Sequence, residues 1–190
     1  MRELAEALER AGRVVAGVRP NQWEAPTPCP DWSVRQLVSH LVGGQVMFAR
    51  ILAGESFEVA AAQRGVDQLG DDPAGAYQRS AEALLEAAAA PGVAQRVVRV
   101  PVGTVPGAVA LHLRTIEALV HGWDVARATG QPFEVPEELA ERELTFSHDS
   151  LSIIPPDRSP FGDPQPVDDA APAMDRLAAL LGRTVDRIGT

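Results

Sequence analysis

LHLRTIEALVHGWDVARATG, residues 111–130, decides the fold. Read as a helix turning about 100° per residue, it lines up Val109, just upstream, with Leu113, Ile116, Val120 and Trp123 in one apolar stripe. Glu117 and His121 sit on the edge of that stripe. A carboxylate and an imidazole four residues apart lie one turn apart on one face, the spacing at which a helix presents two ligands to one ion. The same spacing also fits a solvated helical pair.

A second helix gives the pair a partner. Ser33, followed three residues later by Gln36, fits a capping box, and Val34, Leu37, Val38, Leu41, Phe48 and Leu52 supply a buried stripe. His40 falls beside Leu37 at the margin of that stripe. On its own helix it reads as a core-margin histidine bonded to a carbonyl. If the two margins face each other, His40, Glu117 and His121 converge on one point. Two histidines and a carboxylate with no fourth protein ligand make an open metal site of the kind that carries water.

Composition narrows the class. The chain has 190 residues, 45% hydrophobic and only 5% aromatic, with alanine runs such as residues 87–90, which favours close-packed helices around a single core over a β-sandwich. The expected class is all-α. A net charge of -9 argues against a phosphate-backbone partner, so no nucleic acid is expected. Every cationic side chain is Arg, which excludes a Lys Schiff base or a P-loop. The lone Cys29 cannot form an internal disulfide, the N-terminal segment lacks the apolar core of a signal peptide, and no run is long enough to span a membrane. A cytoplasmic protein without membrane association is expected.

Residues 2–18 read as a first helix closed by Pro20, and residues 23–32, with Pro26, Pro28 and Pro30, as a rigid extended connector. The His40 helix runs to about Ala53, residues 55–72 form a loop or short helical piece, and a third helix spans Pro73 to Ala90. Val97 to Val102 alternate as a short extended segment. The Glu117 helix ends at Gly130, and further helices cover Pro136 to Leu151 and Ala173 to Leu181. Between Ile153 and Asp169 lie five prolines, a wrap or a cover over one end of the bundle. The expectation is one domain over 1–190, with a core bundle over about 1–130 and a C-terminal extension over about 131–190.

Other candidates are weaker. His112, nine residues before His121, points to the opposite side of the helix, and His148 has no partner at ligand spacing. Asp124, one turn past His121, reads either as an acceptor orienting a ligand imidazole or as an ion-pair partner of Arg127. Cys29 is wedged between two prolines without a local base and reads as structural. Trp32 and Trp123 read as core anchors. No G-x-S-x-G motif supports Ser/His/Asp catalysis, and Gly43-Gly44 makes no nucleotide loop.

At TPCPDWSVRQLVSHLVGG (residues 27–44) and EALVHGWDVARATGQP (residues 117–132) the sequence resembles the DinB/YfiT-like metalloenzymes, on the branch of the metal-binding domain of mycothiol-dependent maleylpyruvate isomerase. The tail FGDPQPVDDAAPAMDRLAALLGR resembles the ending of short family members described only as metal-binding proteins. The resemblance implies a four-helix bundle, here with extra C-terminal helices and a Pro-rich C-terminal segment. It also implies a divalent metal, zinc or nickel, at one end. Carried over residue by residue, the ligands are His40, Glu117 and His121, the triplet the spacing had already paired.

The related isomerase uses a low-molecular-weight thiol and carries a further C-terminal domain that helps complete its active site, whereas 60 residues follow Gly130 here. The expectation is therefore a metal-dependent enzyme of transferase or isomerase type that uses mycothiol and an electrophilic small molecule. A metal-dependent hydrolase using water, and a metal-binding helical module without turnover, are the rival readings. No general base is legible. Nor is the assembly state, for which a homodimer stays open.

Overall fold

The computed structural model describes residues 1–63, 66–151 and 161–185, and it is mostly helical. It divides into two compact units, Met1–Phe133 and Glu134–Thr190.

The first unit is a four-helix bundle built from α1 (Arg2–Ala16), α2 (Val34–Leu52), α4 (Pro73–Ala88) and α5 (Gly107–Thr129), with α3 (Phe57–Ala60) between α2 and α4. Each long helix packs on two others, α2 on α4 and α5, and α1 on α4 and α5, so the four close into a ring. Leu4 and Leu8, Leu37 and Leu41, Tyr77 and Leu84, and Leu119 meet inside that ring, all essentially inaccessible. Burying a leucine of this kind contributes about 1.5–3 kcal/mol. Small residues bring α1 and α5 close: a Cβ on Gly122 would lie 3.1 Å from Ala11 Cβ and 2.8 Å from Phe133 Cζ.

The helix over residues 107–129 departs from its expected single stripe. From Arg114 to Ala126 every residue except Glu117 is buried, while Val109 and Leu113 are half-buried. The reason is its place in the ring, with α1 and α2 on its flanks and a hairpin beside it. That hairpin, β1 (Val97–Val100) and β2 (Gly103–Pro106), pairs antiparallel with Val98 opposite Val105. Only its first strand was legible as an extended segment; its turn depends on Gly103, at φ +125°.

The connector before α2 also differs from an extended rod. Val34 N–H donates to Ala25 O at 3.0 Å and Arg35 N–H to Trp23 O at 2.8 Å, so the chain folds back on the first turn of α2. Thr27 Oγ1 ties the loop, its single proton shared between Trp32 O and Cys29 O, each 2.9 Å away. The prolines leave few backbone donors, and a side-chain hydroxyl serves the carbonyls instead.

In the second unit, α6 (Glu137–Leu151) packs with α7 (Ala173–Leu180). Ala173 N–H at the start of α7 donates to Glu137 Oε1 at 3.0 Å, and Arg176 pairs with Glu141. Met174, Leu177 and Leu181 are buried, as their spacing predicts. Most of the proline-rich stretch, residues 152–160, lies outside the described residues. Among the described residues no helix is long and apolar enough to cross a membrane.

Candidate metal centre

The capping box sets where α2 begins. Ser33 N–H donates to Gln36 Oε1 at 2.9 Å, and Ser33 Oγ accepts from Gln36 N–H at 3.4 Å. Two turns on, with Leu37, Val38 and Leu41 committed to the core, His40 emerges at the margin that faces α5.

There the three sequence-predicted ligands meet. His40 Nε2 lies 2.9 Å from Glu117 Oε2, His121 Nε2 lies 3.4 Å from the same oxygen, and one ligand atom from each residue falls within 4.8 Å of the others. Metal–ligand bonds of 2.0–2.1 Å at tetrahedral angles put donor atoms about 3.3 Å apart. The two distances to Glu117 Oε2 bracket that figure. Two imidazoles and one carboxylate suit a borderline divalent ion such as zinc or nickel, and three protein donors leave a fourth position for an exogenous ligand.

Asp124 completes the arrangement from behind. Its side chain is fully buried, and Oδ2 accepts from His121 Nδ1 at 3.0 Å, which turns the other ring nitrogen, Nε2, toward Glu117. Of the two contacts open in the sequence, the one with the imidazole is therefore present. Arg127 lies with its guanidinium 4.8 Å from the centre of the Trp123 ring.

The electrostatics keep the Glu117 carboxylate ionised at this point. Burial pushes the Glu117 carboxyl up, but hydrogen bonds from His121 and His40, with the charges of His121 and Arg114, outweigh it and hold the group well below the usual carboxylate range. Burial pushes His121 down, yet its bonds to Asp124 and Glu117, and their charges, raise it above its ordinary value. Two carboxylates around one imidazole thus retain positive charge between them.

Two residues escaped the sequence reading. Trp32, expected as a core anchor, is half-buried and stacks on His40, with ring centres 4.4 Å apart and planes 30° apart; His121 is 5.7 Å from the same indole. The fold-back of the connector puts it there, and no periodicity reports that. Arg114, three residues before Glu117 on the same helical face, brings Nη1 to 3.7 Å from Glu117 Oε2. Its signal was the single formal charge on the helix before Glu117.

The remaining candidates stay apart. His112 lies half-buried on α5 outside the triplet, and His148 is exposed on α6 of the second unit, 3.9 Å from Asp149. Cys29 sits half-buried in the connector loop, its N–H donating to Thr27 Oγ1.

Over residues 4–126 the sequence matches the mycothiol maleylpyruvate isomerase N-terminal domain family. Two uncharacterized proteins, from two strains of Mycobacterium tuberculosis, are each 36% identical over 183 residues, covering 94% of this chain and 94% of their own. Among solved structures, the fold is similar to that of the mycothiol-dependent maleylpyruvate isomerase, with TM-score 0.58 and 19% identity, and to a mutant of it, with TM-score 0.57 and 16% identity. The match covers 74% of this chain, and the chain spans 65% of the isomerase's length.

Proposed function

The chain belongs to the mycothiol maleylpyruvate isomerase N-terminal domain family, and we propose that it binds a divalent metal ion through His40, Glu117 and His121 for thiol-dependent transferase or isomerase chemistry. The thiol is mycothiol and the second substrate a small electrophile, met in a cytoplasm that keeps thiols reduced. The observation that carries this reading is the convergence of three donor atoms from α2 and α5 within 4.8 Å of one another.

The ion, when bound, supplies an acidified site for a thiol, so that the nucleophilic thiolate forms at neutral pH. The protein's own groups prepare that site. Asp124 fixes the tautomer and the ring plane of His121. Trp32 covers one face of His40 and keeps bulk water from that side, which strengthens charge interactions among the ligands. Glu117 would be the one anionic donor among the three, so the residues that would hold a dication would leave it net positive, a charge that would favour an anionic sulfur over neutral water.

The test is metal content of untagged protein, by elemental mass spectrometry, beside His40→Ala and Glu117→Ala. Near-stoichiometric metal in the wild type and loss in both variants is expected. The cobalt-substituted protein should then develop intense near-ultraviolet absorption on addition of mycothiol. Metal-free wild type that also refuses added zinc and nickel would end the reading, and cobalt protein blind to thiols would end its thiol half.

A further inference from the structure

Arg114 is the charged side chain that nothing in the ligand set requires. It is 3% exposed, far from the usual place of a guanidinium, and among the described residues no acceptor lies within hydrogen-bond reach of its Nε or Nη2. A buried cation with unsatisfied donors weakens a fold, and an apolar residue of similar volume would serve packing better. The chain nevertheless makes room for it. A Cβ on Gly44 of α2 would fall 2.7 Å from Arg114 Nη1 and 3.0 Å from Cζ and Nη2, so a larger residue there would push the guanidinium from its place. Phe48, one turn further along α2, lies beneath it, with its ring centre 5.2 Å from Cζ. Gly44 and Phe48 form a seat for the guanidinium, and its open end faces Glu117.

Nη1 stands 3.7 Å from Glu117 Oε2, just beyond a hydrogen bond, while that oxygen is engaged by His40 and His121. An ion bound by the two imidazole nitrogens would take both of those partners from the carboxylate. Arg114 is then the neighbouring donor left to orient it.

We propose that Arg114 is a positioning residue for Glu117: held in the Gly44–Phe48 seat, it engages the carboxylate so that Glu117 gives the ion one oxygen and leaves the remaining coordination space to an incoming small molecule. This rests on the metal reading above and adds to it the role of a residue outside the ligand set. A guanidinium can engage one carboxylate oxygen directionally while the other binds elsewhere; an apolar side chain there would let both oxygens turn to the ion.

The test uses the full chain with cobalt(II), comparing wild type with Arg114→Met, Arg114→Lys and Gly44→Ala, the last crowding the seat while keeping the guanidinium. Affinity comes from titration, coordination from the visible d–d bands, and folding from far-ultraviolet circular dichroism. Arg114→Met is expected to show clearly weaker d–d absorption as coordination expands beyond four, with an affinity no lower than that of the wild type, because a second carboxylate oxygen joins the ion and a neighbouring positive charge is gone. Gly44→Ala should shift in the same direction, and Arg114→Lys should recover much of the wild-type spectrum. Folded Arg114→Met with wild-type bands would overturn the proposal while leaving the metal site intact. Loss of helical signal in all three variants would reduce Arg114 to a packing role and overturn it likewise. Wild type that binds no cobalt would remove this proposal together with the metal reading.

Discussion

Asp124 and His112 make the sharpest contrast at the scale of single residues, because both lie on α5 within one or three turns of His121 and only one touches it. Asp124→Asn keeps the shape and an acceptor but removes the charge that makes the imidazole a better donor to metal. We expect about tenfold weaker zinc binding, read by competition with a chromophoric chelator, with helical content unchanged. His112→Ala should leave zinc affinity at the wild-type value; the reverse pattern would put the ligand set elsewhere on the helix. The triplet was legible beforehand because Glu117 and His121 share one helix, where spacing fixes direction. Asp124 could be narrowed only to two partners three residues away on either side. Trp32 and Arg114 were not legible as site residues, since what they touch is decided by a loop fold-back and by a glycine on another helix.

At the scale of elements, starts and stops were written in local chemistry. Ser33 with Gln36, Pro73 at the first turn of α4, and Gly130 in the left-handed conformation at φ 68° all sit where capping rules put them. The hairpin over 97–106 was half missed, because its second strand, Gly-Thr-Val-Pro, carries a glycine and a proline that speak against strand when read alone. The cap of α4 also yields a pH dependence. Asp72 accepts from Gly75 N–H at 2.9 Å, and that bond, with the nearby Arg79, lowers its carboxyl below the ordinary value of 3.8. A lowered carboxyl contributes stability that is present above the unfolded value and lost as pH falls through the folded one. Asp72→Asn retains a good cap but cannot titrate. Its urea midpoint should therefore fall less than that of the wild type between pH 5 and pH 2.5; parallel curves would show that the cap is electrostatically silent.

At the scale of the whole molecule, His40 and Glu117 join two helices that are remote in sequence. The all-α class was legible from composition and helical periodicity, and the bundle from the family resemblance. The closure of the ring was not, because no local pattern says which faces meet. A ligand that binds only the folded chain adds stability by mass action, about 2.7 kcal/mol at a hundred times Kd. For a chain of this size that corresponds to a Tm rise of roughly 5 to 10 °C. Zinc should produce it in wild type and not in Glu117→Ala, by calorimetry; equal shifts in both would locate zinc outside the triplet. His40 and Glu117 are 77 positions apart along the chain. An ion held between them fastens that span into a loop, hiding about 25–28 nm of contour length at roughly 3.3–3.6 Å per residue. Pulled from its two ends in an optical trap, the metal-loaded chain should yield in two steps, the second releasing that hidden length when the ion lets go, so that the centre behaves as a reversible mechanical clasp.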